Sequence, residues 1–205
     1  MIAIVDYGVG NAQAFMALFG DLGLDVKRAV TPESLESATR LILPGVGSFD
    51  HAMQRLNNSG LRPKLEELVL DLKVPVIGVC VGMQMLSEGS EEGKLPGLGW
   101  VSGRVRSFNG NKKFPGLATP HMGWNTLIPN DDSRLFARGF KEPPQFYFLH
   151  SYYFDAENKA DVAATAHFGI DFHAVVSHGH IHGIQCHPEK SHHWGRQLLK
   201  NFAEL

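Results

Sequence analysis

The chain has 205 residues, of which 43% are hydrophobic, and its 19 basic and 21 acidic residues give a formal net charge of −2. This length suits one sizeable α/β domain, and the nearly balanced charge argues against a nucleic-acid-binding protein. The two Cys residues do not make a disulfide framework, and no long apolar run or basic leader predicts a membrane span or a signal peptide. We therefore predict a single cytoplasmic domain over residues 1–205.

Apolar runs alternate with amphipathic stretches through the first half of the chain. The apolar runs predict buried strands at residues 2–5, 23–30, 40–43 and 74–80. Helices are predicted at residues 12–22, from Thr31 onward, and at 50–56 and 61–72. Strands that alternate with helices form a mostly parallel sheet, and such sheets bind ligands at the carboxyl ends of their strands.

Two glycine-rich turns follow predicted strands. The turn at residues 6–11 lacks the full dinucleotide fingerprint and the lysine of a phosphate-binding loop, so a tight strand-to-helix turn is the favoured interpretation. In the turn from Pro44 to Gly47, two glycines allow backbone N–H groups to face a ligand closely. The alternative for this second turn is a plain connection without a ligand.

The strand at residues 74–80 ends in Cys80, with Gly78 and Gly82 two residues to either side, and a helix is predicted at 83–88. A tight strand-to-helix turn of this kind is a nucleophile elbow, and its flanking glycines remove Cβ atoms that would collide. Unpaired N–H groups at the start of the helix favour a thiolate there. The alternative is a buried structural Cys.

The second half of the chain is rich in predicted β-structure. Antiparallel strands are predicted at residues 96–101 and 103–108, with a loop at 109–116 and an extended segment at 121–127. Further strands are predicted at 145–154, 162–167, 174–176 and 181–186, before a closing amphipathic helix at 194–202.

His187 and Glu189 directly follow the strand predicted at residues 181–186. A carboxylate that accepts a hydrogen bond from the far nitrogen of an imidazole fixes the tautomer and stabilises the imidazolium. A lone His-x-Glu is more simply a surface turn, but together with Cys80 it favours a catalytic triad. In that triad Cys80 attacks, His187 takes and returns the proton, and Glu189 orients His187.

A Cys nucleophile in acyl transfer also needs hydrogen-bond donors for the developing oxyanion. The N–H of Val81, the residue after the nucleophile, is one candidate. The second is the N–H of Val46 or Gly47, because their turn falls at the same sheet edge as the elbow. The sequence therefore predicts an oxyanion hole that consists of the N–H of Val81 and the N–H of Val46 or Gly47.

Histidines are frequent near the end of the chain, with His178, His180 and His182 at alternate positions. Two or three of them on one strand face could form a metal patch. No carboxylate or Cys lies at the usual ligand spacing, so we favour solvated positions on an exposed strand and predict no metal site. His192 and His193 are predicted to face the surface or a partner.

Three further residues carry weaker expectations. Cys186 neighbours His187, and adjacent strand residues point to opposite faces, so Cys186 should face the core and rank below Cys80 as a nucleophile. Trp100 and Trp124 are core aromatics or interface anchors, and the sequence does not separate these two possibilities.

As a set, several motifs resemble the class I, or triad, glutamine amidotransferases, which hydrolyse glutamine to glutamate through a Cys thioester and pass on ammonia. The resemblance covers nearly the whole chain, and within this family the chain most resembles the glutaminase subunits of imidazole glycerol phosphate synthase, in histidine biosynthesis. The segments that carry it are residues 6–11, 43–49, 78–84, 90–93, 120–125, 146–153 and 187–191.

The resemblance implies a flavodoxin-like α/β fold with a mixed, mostly parallel central sheet and an antiparallel, β-rich second half. It implies the same triad and oxyanion residues, and no cofactor. The residues that it places near bound L-glutamine are Gln84, His150, Ser151 and Tyr152. We further predict Asn11 and Trp124 at an interface with a partner.

That partner is implied by the resemblance as a (β/α)8 cyclase, which forms a heterodimer with the glutaminase and receives its ammonia through a channel. The residues also support a partner, because no phosphate-binding or nucleotide-binding motif remains for an acceptor site. Ammonia released into neutral water would mostly be protonated and lose its nucleophilicity. A docked acceptor enzyme is therefore expected.

The chain departs from the family pattern in two places, and the first departure leaves the identity of the partner open. Ala12 follows Asn11 where the family often has a basic residue, and Cys186 stands where the family usually has an aromatic one. A sister branch supplies ammonia for amidation of surface-polysaccharide sugars, and residues 97–100 and 187–192 look somewhat like that branch. This branch is the main alternative, and a stand-alone Cys hydrolase is a further one.

Overall fold

The strands in the first half of the chain form a parallel sheet. The computed structural model describes residues 1–110 and 117–205. The first four strands are β1 (Ile2–Val5), β2 (Val26–Ala29), β3 (Arg40–Gly45) and β4 (Val76–Cys80). They lie side by side in the order β2–β1–β3–β4, and all are parallel. Strands β1 and β4 are buried throughout, as expected for the apolar strands of a parallel sheet covered on both faces.

Helices connect these strands and close the chain. The α-helices are α1 (Ala12–Asp21), α2 (Phe49–Asn58), α3 (Arg62–Glu66), α4 (Val81–Met85) and α5 (His192–Ala203). A π-helical turn continues α3 over Glu67–Asp71. Short 3₁₀ turns lie at Pro32–Leu35, Phe108–Gly110, Arg134–Phe136, Lys159–Asp161 and Pro188–Lys190. None of the helices in the described ranges is long and apolar enough to cross a membrane.

Antiparallel strands dominate the second half. They are β5 (Gly103–Ser107), β6 (His121–Thr126), β7 (Ile128–Pro129), β8 (Gln145–His150), β9 (Tyr152–Ala156), β10 (Val162–Phe168), β11 (Ile170–His178) and β12 (Ile181–Ile184). β12 pairs in parallel with β4 and antiparallel with β11, and the sheet continues through β10 to β7. Strands β6 and β8 form a second, two-stranded sheet, here called the β6–β8 ribbon. The predicted mixed, mostly parallel α/β fold is confirmed.

The prediction of a strand at residues 96–101 is wrong. This segment folds back on the end of α4, where the N–H groups of Leu98 and Trp100 donate to the carbonyl groups of Met85 and Leu86. The last carbonyl groups of a helix have no partner within the helix, and this segment supplies one. The alternation of residues in the sequence therefore reflected a capping segment rather than a strand.

Other boundaries differ from the prediction. The helix expected from Thr31 is only the 3₁₀ turn Pro32–Leu35, although the Thr31 side chain caps it as predicted. The single strand expected at residues 145–154 is broken at Ser151 into β8 and β9. The helix after the elbow begins at Val81, directly behind Cys80, and is α4 (Val81–Met85) rather than 83–88. The predicted loop at 109–116 lies mostly outside the described residues.

Glycines bring α4 close to the strands beneath it. A Cβ atom built on Gly82 would lie 1.9 Å from the carbonyl oxygen of Leu43, and one on Gly78 would lie 2.5 Å from the carbonyl oxygen of Gly82. Real Cβ atoms do not approach backbone this closely. The glycines on both sides of Cys80 therefore allow the backbone of α4 to pack directly on β3 and β4.

Candidate active site

Cys80 ends β4 in an unusual backbone conformation. Its φ is 54° and its ψ is −114°, and Val81 begins α4 immediately afterwards. A positive φ in a residue with a Cβ atom costs about 1–3 kcal/mol, so surrounding structure must hold it in place. The chain thus makes the predicted strand-to-helix elbow. Cys80 is only 5% exposed, at the carboxyl edge where β3, β4 and β12 end.

His187 and Glu189 follow β12 at the same edge. Nδ1 of His187 lies 2.8 Å from Oε1 of Glu189, and the two side chains are 6% and 7% exposed. Burial lowers the pKa of His187, but hydrogen bonds to Cys80 and Glu189 outweigh burial and raise that pKa to about 10. His187 therefore carries a proton at neutral pH, between a carboxylate and the sulfur atom.

A cavity of about 340 Å³ opens beside Cys80. All the predicted catalytic, oxyanion and glutamine-binding residues line it except Glu189, which lies behind His187. The lining consists of Val46, Gly47, Cys80, Val81, Gln84, Glu92, Pro120, Leu149, His150, Ser151, Tyr152, His187 and Lys190. Its volume suits a small molecule. Glu92 and Lys190, the charged members of the wall besides His187, were not singled out from the sequence.

Two glutamine side chains connect the cavity wall to the sulfur. Nε2 of Gln84 donates to the carbonyl oxygen of Tyr152 at 3.2 Å and to Oε1 of Gln185 at 3.0 Å. Nε2 of Gln185 in turn lies 3.8 Å from Sγ of Cys80. Gln185 was missed from the sequence, although it precedes His187 by two residues and strand alternation would place both on one face.

A pair of buried histidines, of which His150 lines the cavity, supports the same Tyr152 carbonyl. Nδ1 of His150 lies 2.7 Å from the carbonyl oxygen of Tyr152, and its Nε2 lies 2.9 Å from Nδ1 of His121. Asn125 Nδ2 lies 3.1 Å from the other ring nitrogen of His121. Burial lowers the pKa of His150 to about 3 and that of His121 to about 4. Both rings are therefore neutral at physiological pH.

Comparison with known proteins places this geometry in a family. The family model of class-I glutamine amidotransferases matches residues 3–205. The chain belongs to this family. It is 53% identical over 205 residues to the imidazole glycerol phosphate synthase subunit HisH of Bdellovibrio bacteriovorus, and 47% identical to the subunit of the same name from Leptospira interrogans. In both comparisons 100% of each chain is covered.

Solved structures agree with the fold. A crystal structure described as a glutamine amidotransferase superposes with a TM-score of 0.75 at 19% sequence identity, and the match covers 99% of this chain and 97% of the other. At this identity the likeness concerns the fold alone. It is the fold expected of a class I glutamine amidotransferase.

The turn at Val46 and Gly47 lines the same cavity as Cys80 and Val81. Gly45, the last residue of β3, pairs with Cys80, so the next two residues project beyond the sheet edge. Val46 is 43% exposed, and Gly47 has a φ of 84° that suits glycine. Oε2 of Glu92 accepts a hydrogen bond from the backbone N–H of Phe49 at 2.8 Å, which ties this turn to the far cavity wall.

The two predicted interface residues lie outside the cavity lining. Asn11 caps α1, where its side chain accepts a hydrogen bond from the N–H of Ala14. Trp124 is 48% exposed on the β6–β8 ribbon, and its ring stacks on His192 at 5.3 Å. Trp100, in contrast, is buried. The two tryptophans therefore separate into a core residue and a surface residue.

Two histidines of the histidine-rich stretch are hydrogen-bonded to neighbouring groups of the protein. His182 bonds Ser177 Oγ at 2.8 Å, and His180 bonds the carbonyl oxygen of Val69 at 2.7 Å. Over residues 1–110 and 117–205 no group of three or more His, Cys, Asp or Glu could hold a metal ion. The expectation of an exposed strand was wrong for His182, which is buried because β12 lies between β4 and β11. Cys186 is fully buried, as expected, and burial raises the pKa of its thiol.

Proposed function

We propose that this amidotransferase is the glutaminase subunit of an imidazole glycerol phosphate synthase. It hydrolyses L-glutamine to glutamate and transfers the ammonia to a cyclase subunit in histidine biosynthesis. The observation that carries the proposal is the meeting of Cys80, His187 and Glu189 at one buried sheet edge. The full-length relatives named as subunits of that synthase support the choice of pathway.

The geometry supports a two-step acyl transfer. The thiolate of Cys80 attacks the carboxamide carbon of glutamine, and the charge moves to the carbonyl oxygen. The imidazolium of His187 gives its proton to the leaving nitrogen, so ammonia departs and a thioester remains. His187 then takes a proton from water, which attacks the thioester and releases glutamate. Glu189 holds His187 in the orientation that both proton transfers require.

The oxyanion forms where backbone donors from two elements can converge. We assign one donor to the N–H of Val81, at the start of α4, and the other to the N–H of Val46 or Gly47. All three residues line the cavity beside Cys80. The exposed turn carrying the second donor is the part of the site that a docked partner can move, so we infer that docking completes the oxyanion hole.

An apolar surface next to the cavity provides a docking site for the cyclase. Met122, Trp124 and Leu149 are 66%, 48% and 38% exposed. Met122 and Leu149 pair across the β6–β8 ribbon, and Trp124 lies two residues further along the same face. Leu149 and the exposed Val46 both line the cavity, so the surface continues to its mouth. We call these four residues the apolar rim, and large exposed apolar patches of this kind mark interaction sites.

The decisive assay measures glutamate formation by the chain alone and with a candidate cyclase. We expect slow turnover alone and a large increase in the complex. Cys80→Ala should abolish glutamine-dependent synthesis, because it removes the sulfur that attacks the carboxamide, while the complex keeps its ammonia-dependent synthesis. Glutamine-dependent synthesis that survives in Cys80→Ala would contradict the nucleophile assignment.

A genetic experiment separates histidine biosynthesis from the sugar-amidation branch. A histidine auxotroph that lacks its glutaminase subunit is transformed with this gene or with the Cys80→Ala variant, together with the gene for the cognate cyclase. Growth without histidine is expected only for the intact gene. A failure to grow, with both proteins present, would favour the sugar-amidation alternative.

A further inference from the structure

One backbone carbonyl fixes the orientation of the amides next to the nucleophile. The oxygen of Tyr152 can only accept a hydrogen bond, so the Gln84 atom 3.2 Å away is its Nε2 donor. The same Nε2 reaches the Gln185 side chain at 3.0 Å, so the Gln185 atom there is the acceptor Oε1. The remaining amide atom, Nε2 of Gln185, therefore faces Sγ of Cys80 at 3.8 Å.

The carbonyl oxygen of Tyr152 also accepts a hydrogen bond from a histidine. His150 donates from Nδ1 to the oxygen of Tyr152, so its Nε2 has no hydrogen and accepts from Nδ1 of His121. His121 in turn accepts from Asn125 at its Nε2. Each of these side chains therefore has a fixed arrangement of hydrogen-bond donors and acceptors. A flip of either glutamine amide would leave two donors or two acceptors facing each other. The N–H of Gln185 is thus directed at the sulfur before any substrate binds.

We propose that Gln185 is a catalytic residue that donates a hydrogen bond to the thiolate of Cys80. The proposal rests on the glutaminase function above and extends it to a residue outside the triad. Gln185 is fully buried, so water cannot replace its N–H group. A hydrogen bond to an ionised acceptor is about twice as strong as a neutral one, so this donor favours the thiolate over the thiol.

The other ionisable groups near the sulfur come from several elements. They are Tyr7 after β1, Cys186, His187 and Glu189 after β12, His150 on β8, and Glu92 and Lys190 on the cavity wall. A substitution of Gln185 changes none of these groups. Its effect on the ionisation of Cys80 therefore reports on the amide donor.

The test measures the rate of Cys80 alkylation by iodoacetamide against pH, with the modified residue identified by mass spectrometry. Gln185→Leu keeps the approximate volume but removes the donor, and we expect the midpoint of the profile to move up by about one pH unit. Gln185→Glu places a carboxylate oxygen against the sulfur, and we expect a larger upward shift. Gln145→Leu, at an exposed position on β8, is the matched control and should leave the midpoint unchanged.

The kinetic test compares how the substitution changes kcat with how it changes KM for glutamine. Gln185 is not among the described lining residues of the cavity, so KM should stay within about threefold while kcat at neutral pH falls about tenfold. The lost kcat should return at alkaline pH below about 10, where the thiolate forms without the donor and His187 still carries the proton for the leaving nitrogen. A merely structural defect would lower kcat at every pH.

An unchanged alkylation midpoint in a folded Gln185→Leu or Gln185→Glu variant would overturn the proposal. Folding is checked by circular dichroism and by the thermal midpoint of each variant. The alkylation assay needs no glutamine, so it also separates two kinds of failure. A shifted midpoint in a protein that never hydrolyses glutamine would retain the role of Gln185 and reject the glutaminase function.

Discussion

The pKa of His187 is raised because its ring is hydrogen-bonded to Cys80 and Glu189 in a nearly dry site. Burial alone would remove the proton, but Cys80 and Glu189 raise the pKa from an ordinary value of 6.5 to about 10. A group whose pKa is raised by folding stabilises the fold fully below its unfolded pKa, and this stabilisation disappears as the pH rises through the folded pKa. For His187 the window therefore runs from about pH 6.5 to about pH 10.

Glu189→Gln tests this residue-scale account. The amide can still accept the hydrogen bond from Nδ1, but it carries no charge to hold the imidazolium. We expect the variant to unfold more easily than the natural protein at pH 6, and the difference to shrink as the pH passes 10. Urea unfolding at both pH values measures the two free energies. An equal difference at both pH values would contradict the charge-based explanation.

Sequence and structure agree best on residues whose spacing along the chain fixes their geometry. Cys80 could be placed because its two flanking glycines and the strand before it define an elbow, and Glu189 because it lies two residues from His187. Glu92 could not be placed, because it reaches the cavity through a loop oriented by hydrogen bonds to α2. The hydrogen bond between Gln185 and Cys80 could not be predicted either, because the two residues lie 105 positions apart in the chain and meet only in the folded protein.

At the scale of elements, the site depends on how closely α4 packs on β3 and β4. The backbone of Gly82 touches the carbonyl group of Leu43, so the helix has no room for a side chain at this position. The elbow that holds Cys80 lies between these contacts. The position of the sulfur relative to the cavity is therefore set by backbone packing rather than by the side chains of α4.

Gly82→Ala should displace this helix. The added methyl group would meet backbone at 1.9 Å, which cannot move as a flexible side chain can. We expect a loss of stability of about 1–3 kcal/mol and a larger loss of activity, because the elbow must shift. Gly20→Ala is the matched control, since its Cβ has open space in α1 and alanine favours helix. Denaturant unfolding and a glutaminase assay provide the two measurements, and an active, fully stable Gly82→Ala would contradict this account.

Elements with strong patterns were predictable, and those shaped by their neighbours were not. The apolar runs that form β1, β3 and β4 are typical of buried strands, so these strands could be predicted from composition alone. Residues 96–101 also alternate, but their backbone serves the end of α4, and no local pattern encodes that requirement. Likewise, His182 sits on a central strand, which the chain places between two others only by long-range pairing.

At the scale of the whole molecule, the apolar rim and the cavity form one continuous surface. Leu149 belongs to both, since it pairs with Met122 on the ribbon and lines the cavity. A partner seated on the rim would cover the cavity mouth and touch the Val46–Gly47 turn. In the proposed complex, this one contact would account for both docking and activation.

Substitution of the rim should uncouple the subunits without damaging the site. We expect Trp124→Ser combined with Met122→Ser to weaken binding of the cyclase at least tenfold, because two large exposed apolar side chains are lost. Alkylation of Cys80 in the isolated chain should stay unchanged. Ile128→Ser is the control, since Ile128 is 60% exposed on β7, which belongs to the central sheet. Binding is measured by titration calorimetry, and equal affinities for both variants would exclude the rim as the interface.

The positive φ of Cys80 has a consequence for trapping the substrate complex. Alanine retains the Cβ atom and with it the energetic strain of the elbow, so Cys80→Ala preserves the shape that the natural site presents to glutamine. Glycine would relieve that strain, and the loop would be free to relax into a conformation that the working protein never adopts. Alanine is therefore the substitution to use for capturing uncleaved glutamine in a crystal, because its pocket remains that of the active protein.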